Sequence, residues 1–97
     1  MFTLSAPVAG RLHRDAAMRG VAIGRVVAAA VDAHLAAGGG WQDRAGRWVQ
    51  VKMRVDVDVH RRIVDAADEL VVARSVFVET ALVRFWDRDR EPWDFST

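Results

Sequence analysis

One pattern occurs twice in this chain, 51 residues apart, and that duplication limits what the chain can fold into. A short alternating stretch, a helical stretch, a tight turn and a second helical stretch occur near residues 2–36 and again near 53–87. Sliding the first copy onto the second brings Phe2, Leu4 and Ala6 onto Met53, Val55 and Val57, and Leu12 onto Ile63. Ala16 then meets Ala67, Ala22 meets Ala73, Val27 meets Val78, Ala30 meets Ala81, and Val31 meets Leu82. An offset of 50 would superpose Asp15-Ala16-Ala17 on Asp65-Ala66-Ala67, but it would set Phe2 on Lys52 and invert the strand parity. In a strand, a one-residue slip exchanges the buried face for the solvent face, so 51 is the better offset. Internal repetition decides the kind of architecture before any local detail does.

Each copy, at roughly 40 residues, is too short to bury a self-sufficient core. The two must share one core, or each must pair with another chain. The 97 residues together suit one small domain. No apolar run is long enough to span a bilayer, and the N-terminus lacks the basic-then-apolar layout of a signal peptide. A cytoplasmic location is the default expectation. The absence of cysteine excludes a disulfide scaffold and thiolate metal sites. The net charge of +1 gives no bulk attraction to nucleic acid, so such a function must rest on local placement. Thirteen Arg against one Lys, with abundant Ala and Val, fits a GC-rich, bacterial-type coding genome; Arg is also the better bidentate partner for phosphate and guanine.

The second copy is the clearer. Val49, Val51, Met53, Val55 and Val57 alternate with Gln50, Lys52, Arg54, Asp56 and Asp58, which predicts a half-buried strand. Asp58 is placed to cap a helix from Val59, with Val59, Ile63, Ala66, Ala67 and Leu70 as its apolar stripe. After a break over 71–74, Ser75 is the expected cap of a second helix whose stripe is Val78, Ala81, Leu82 and Phe85, and Pro92 is its expected stop. In the first copy Phe2–Ala6 alternates and Pro7 suits a first helical turn. Val8, Leu12 and Ala16 share a face, Gly20 marks the turn, and Val27, Ala30, Val31 and Leu35 form the next stripe. Between the copies, Gly38-Gly39-Gly40 reads as a helix stop and flexible joint. Residues 41–48 read as a small hairpin turning at 43–46, with Trp41 and Trp48 as cross-strand neighbours over the edge of the core.

Strand, helix, tight turn and helix in this order resemble the ribbon–helix–helix family of DNA-binding repressors. The resemblance is carried by Val51-Lys52-Met53-Arg54-Val55-Asp56-Val57-Asp58 with His60-Arg61-Arg62-Ile63-Val64-Asp65-Ala66-Ala67, and by Arg74-Ser75-Val76-Phe77-Val78-Glu79-Thr80-Ala81-Leu82. A similar line runs through Arg19-Gly20-Val21-Ala22-Ile23-Gly24-Arg25-Val26-Val27 in the first copy. The implied fold is mainly α with a short two-stranded antiparallel ribbon, the two tandem units forming a single-chain pseudo-dimer. The expected division is 1–37 for the first unit, 38–48 for the linker, 49–90 for the second unit and 91–97 for a C-terminal tail.

The resemblance implies that the ribbon enters the DNA major groove, with its polar face reading bases and the start of each second helix holding a phosphate. The readers it implies are Lys52 and Arg54, with Gln50, facing Thr3 and Ser5; the phosphate clamps are Arg74 and Ser75 in one copy, Gly24 and Arg25 in the other. The implied function is sequence-specific binding of double-stranded DNA by a transcriptional regulator, acting as a repressor, as a monomeric pseudo-dimer or a dimer of these on DNA. An asymmetric face, basic on one strand and hydroxyl-bearing on the other, favours a non-palindromic site. The family usually places Gly in the inter-helix turn, where the second copy has Val71; a β-branched residue at positive φ is unfavourable, which predicts another turn geometry there. Asp56, on the expected DNA face, would repel phosphate or point at a cytosine amine.

Two other readings start from the same residues. Trp93 and Phe95, aromatic anchors in an acidic tail, would bind a toxin if the chain were an antitoxin that represses its own operon. A protein-interaction module that has lost DNA binding would explain the weak net charge and the thin polar face of the first copy. His13, His34 and His60 have no partners at ligand spacing and read as surface or partly buried residues. With no catalytic triad, phosphate-cradling loop or paired carboxylates, the sequence gives no enzyme signature, and no metal, cofactor or membrane association is expected.

Overall fold

The computed structural model describes residues 2–42 and 47–96, and describes side chains up to residue 87. Strand β1 (Phe2–Ser5) leads directly into α1 (Ala6–Arg19), and α2 (Ile23–Ala36) follows after a tight turn. Strand β2 (Trp48–Val51), α3 (Val57–Leu70) and α4 (Arg74–Ser96) complete the order. The protein is mainly helical, with one two-stranded antiparallel sheet. The helix boundaries recur at the offset read from the sequence: Ala6 with Val57, Arg19 with Leu70, Ile23 with Arg74.

Most of the positions that coincide across the copies lie in the core, but Ala22 and Ala73 are exposed, and Val57, expected on the inward face of a strand, is 74% exposed at the start of α3. Leu12 and Ile63, Val27 and Val78, Ala30 and Ala81, and Leu82 are fully buried, and Ala16, Ala67 and Val31 are nearly so. α2 packs most extensively against α4, where Ala30 and Ala81 let the two backbones approach. Val8, Leu35, Ala66, Leu70 and Phe85 from the expected stripes pack at the margin. Phe77 and Trp86, outside those stripes, are also buried. Trp86 donates its indole N–H to Asp15 Oδ2 at 3.2 Å and lies beneath the Arg11 guanidinium, which ties α1 to α4.

Several local expectations are corrected. α3 begins at Val57 with Asp56 as the preceding cap residue, one half-turn before the expected start at Val59. Val55, Val59 and Ile63 are spaced by four, so the alternation of the strand runs into a helical spacing without a visible break. β2 ends at Val51, and Lys52–Asp56 lie outside it. Trp48 faces Ser5 of β1 and not Trp41, which is in no strand; the turn expected over 43–46 lies outside the described residues. Ser75 is the second residue of α4, and the carbonyl that accepts the first helical bonds is that of Ala73. Helix α4 passes through Pro92 to Ser96, so Pro92 is not its stop and the expected tail begins inside a helix. His34 is buried, with Nε2 2.8 Å from the Gly40 carbonyl and its ring against Phe77.

The inter-helix turns give the clearest correction. Val71 adopts φ 56° and ψ 47°, the same left-handed conformation as Gly20 at φ 69° and ψ 33°. Each turn closes with the same bonds, Val21 N–H to Ala16 carbonyl and Val72 N–H to Ala67 carbonyl. The burial of Ala67 and Val72's packing against the core over-determine this conformation, and the Val71 side chain itself is 88% exposed. A valine there is strained by about 1–2 kcal/mol relative to an unstrained backbone. Val71→Gly removes no packing, and it is expected to stabilise the fold by about 1 kcal/mol, read as a raised urea midpoint at unchanged slope.

Candidate nucleic-acid interface

Side chains alternate along a strand, so the four-residue ribbon has an inner and an outer face. The register pairs Phe2 with Val51, Thr3 with Gln50, Leu4 with Val49 and Ser5 with Trp48. Phe2, Leu4 and Val51 turn into the core. Trp48 and Gln50 are exposed on the other face, while Thr3 is half-buried and Ser5 is buried. Lys52 and Arg54 continue the exposed parity beyond the end of β2, and Met53 and Val55 between them pack on the core.

This placement corrects the expected opposition of readers. Thr3 stands across from Gln50, and no described strand residue stands across from Lys52 or Arg54. Four residues of β1 before α1 reach only as far as Val51 on the partner strand. Ser5 is withdrawn from the surface. Asp56 is exposed at the start of α3, off the ribbon.

The ribbon is held against the starts of the two second helices. The Thr3 N–H donates to Ser75 Oγ at 2.9 Å, and the Ser5 N–H donates to Glu79 Oε1 at 2.6 Å, both residues of α4. At the other junction Gly24 of α2 is buried so closely against Arg54 that a Cβ there would fall 1.8 Å from the Arg54 carbonyl oxygen. Thr3 and Arg54, and Gly24 and Ser75, are matching positions at the offset of 51. Gly24 and Ser75, both expected at phosphates, stand at these two junctions.

Ala22 and Ala73 precede the two helices, and neither residue can offer a side-chain cap to the first N–H groups that follow it. Arg25 and Arg74 are exposed in these first turns, beside that concentration of partial positive charge. Arg25, Arg47, Lys52, Arg54 and Arg74 make no side-chain hydrogen bond or ion pair among the described residues, whereas Arg19 and Arg62 pair with Asp15 and Asp32. An open depression of about 460 Å³ lies at the start of α4, with His60, Asp68, Arg74 and Ser75 in its wall. No group of His, Cys, Asp or Glu that could hold a metal occurs among the described residues, and none of their helices is long and apolar enough to cross a membrane. The side chains of Trp93 and Phe95 lie outside the described residues.

Sequence reasoning missed Glu79 and the outward position of Trp48. Nothing in the sequence marks Glu79, which sits beside the core stripe and is 5% exposed. Trp48 was legible in principle, because the alternation of Gln50, Lys52 and Arg54 extends back to it. Comparison of the chain with protein-family models, with curated proteins and with solved structures finds no match in any of the three.

Two substitutions test the junctions. Gly24→Ala drives a methyl group into backbone, and it is expected to destabilise by at least about 2 kcal/mol in urea unfolding, where an alanine in an exposed helix interior would stabilise. Glu79→Ala leaves the Ser5 N–H buried without its acceptor. A loss of about 1–3 kcal/mol is expected, with faster hydrogen exchange at the Ser5 amide.

Proposed function

We propose that this chain is a sequence-specific DNA-binding regulator of the ribbon–helix–helix kind, with its two copies acting as a single-chain pseudo-dimer. The observation that carries the reading is the row of exposed side chains Gln50, Lys52 and Arg54, flanked by two helix starts that lack side-chain caps and carry Arg25 and Arg74. The recurrence of the helix boundaries at one offset and the matched junctions at Thr3–Ser75 and Gly24–Arg54 support the pseudo-dimer.

A two-stranded ribbon fits the major groove, whose base edges carry a unique donor and acceptor code. Gln50 suits the N6 and N7 edge of adenine, and Lys52 and Arg54 suit the O6 and N7 edge of guanine. The α2 and α4 starts, with Arg25 and Arg74, would fix the register by holding phosphates on either side of the groove. The bound protein represses by occupying the promoter. Thr3 and Gln50, paired in the ribbon, differ from Lys52 and Arg54 beyond its end, so the preferred site lacks twofold symmetry.

The test is binding of the purified chain to DNA selected from a random pool, across a salt series, beside the Lys52→Ala/Arg54→Ala variant. A non-palindromic site is expected, with affinity at least roughly a hundredfold lower in the variant and a salt slope that falls with the lost contacts. A folded chain that selects no duplex above non-specific binding rules the reading out.

A further inference from the structure

We infer that the cavity between α2 and α4 binds a small hydroxycarboxylic acid, with its carboxylate on Arg84 and its hydroxyl on His34 Nδ1. The inference goes beyond the DNA-binding reading and does not depend on it.

The cavity measures about 210 Å³ and is lined by Ala33, His34 and Ala37 of α2 and by Arg84 and Phe85 of α4. Ala33 and His34 are the counterparts of Arg84 and Phe85 at the offset of 51. Two identical copies would line the cavity with the same pair twice. Divergence has left alanine and imidazole on one wall, guanidinium and phenyl on the other. Ala33 stands about 15 Å along α2 from its first residue, and no ribbon residue lines the cavity.

His34 is 3% exposed. Its Nε2 lies 2.8 Å from the Gly40 carbonyl, which can only accept, so Nε2 carries the proton and the neutral ring leaves Nδ1 as an acceptor. Nδ1 has no hydrogen-bond partner among the described residues. Buried polar atoms are nearly always satisfied, so this nitrogen calls for a donor that the chain does not supply. Arg84 donates from Nη1 to the Gly39 carbonyl at 3.0 Å and makes no ion pair among the described residues. That bond holds the guanidinium in place and leaves its other N–H groups to a ligand. Arg19, which stands over the Phe85 ring, is not in the wall, so Arg84 is the cation of the cavity.

Each group selects one part of the ligand. A guanidinium takes a carboxylate through paired N–H···O bonds, and a single cation suits one negative charge better than the two of a phosphate. An acceptor nitrogen takes a hydroxyl, which a bare carboxylate lacks. Ala33, Ala37 and Phe85 offer apolar surface to the body between them, and an aromatic ring suits the Phe85 side. The volume falls below the roughly 300–1,000 Å³ of pockets for drug-sized molecules, which limits the ligand to a single small ring or a short chain.

The experiment titrates the full chain by calorimetry with the three monohydroxybenzoate isomers, which differ in the spacing of hydroxyl and carboxylate. Benzoate and inorganic phosphate are titrated beside them. One isomer is expected to bind saturably and about three- to tenfold tighter than benzoate, the effect of one hydrogen bond. Arg84→Ala changes an exposed residue, and its fold is checked by thermal unfolding; it is expected to weaken that isomer at least about tenfold. In nitrogen NMR spectra the His34 Nδ1 resonance is expected to move on saturation while those of His13 and His60 stay. If no isomer binds more tightly than benzoate, Nδ1 is served by water alone and the inference is overturned. Phosphate binding as tightly as the best isomer overturns it too, as does an isomer that folded Arg84→Ala binds equally well. None of these outcomes bears on binding of DNA.

Discussion

The structure depends on how the outer edge of β1 is satisfied. A two-stranded ribbon leaves half of each strand's N–H groups without a strand partner, and those lying against protein need another acceptor. Here α4 supplies both: Ser75 Oγ takes the Thr3 N–H and Glu79 Oε1 takes the Ser5 N–H. These bonds join residues more than seventy positions apart and set the ribbon on the helix start. The closeness of α2 to α4, permitted by Ala30 and Ala81, brings the second helix start to the same surface, where Gly24 meets the Arg54 backbone.

The two copies agree where they face the core and diverge where they face the ribbon. Leu12 and Ile63 or Val27 and Val78 are interchangeable apolar volumes in matched positions. Ser75, by contrast, is matched by Gly24, and Glu79 by Ala28, so only one copy has hydroxyl and carboxylate acceptors for the opposing strand. The other copy achieves its junction by omitting a side chain. The two junctions, one at β1 and one just beyond β2, are thus built with different chemistry.

Local stability is given up at three points. Val71 stands in a left-handed conformation without glycine, and Ala22 and Ala73 stand where a capping side chain would ordinarily stabilise a helix. The strain at Val71 has no counterpart in the proposed function and is offset by the packing of its neighbours. The absent caps have a different character: both lie beside exposed arginines on the ribbon side, where an anion would complete them. A buried carboxylate at Glu79 likewise trades desolvation for a fixed strand edge.

The sequence by itself determined the repeat, its offset, the four helices and most of the core, because apolar side chains at helical spacing must find a common interior whatever the order of the copies. The inward parity of Phe2, Leu4 and Val51 and the exposure of Gln50, Lys52 and Arg54 follow from the same period-two pattern. Three things were decided by tertiary structure. The strand register, Thr3 on Gln50 and not on Arg54, depends on how far a four-residue strand reaches once α1 and α3 are packed. The left-handed turn at Val71 depends on bonds to Ala67 and Asp68 that outweigh the preference of a single residue. The roles of Gly24, Ser75 and Glu79 arise from contacts between residues distant in the chain, and a local pattern carries no record of which distant backbone will approach it.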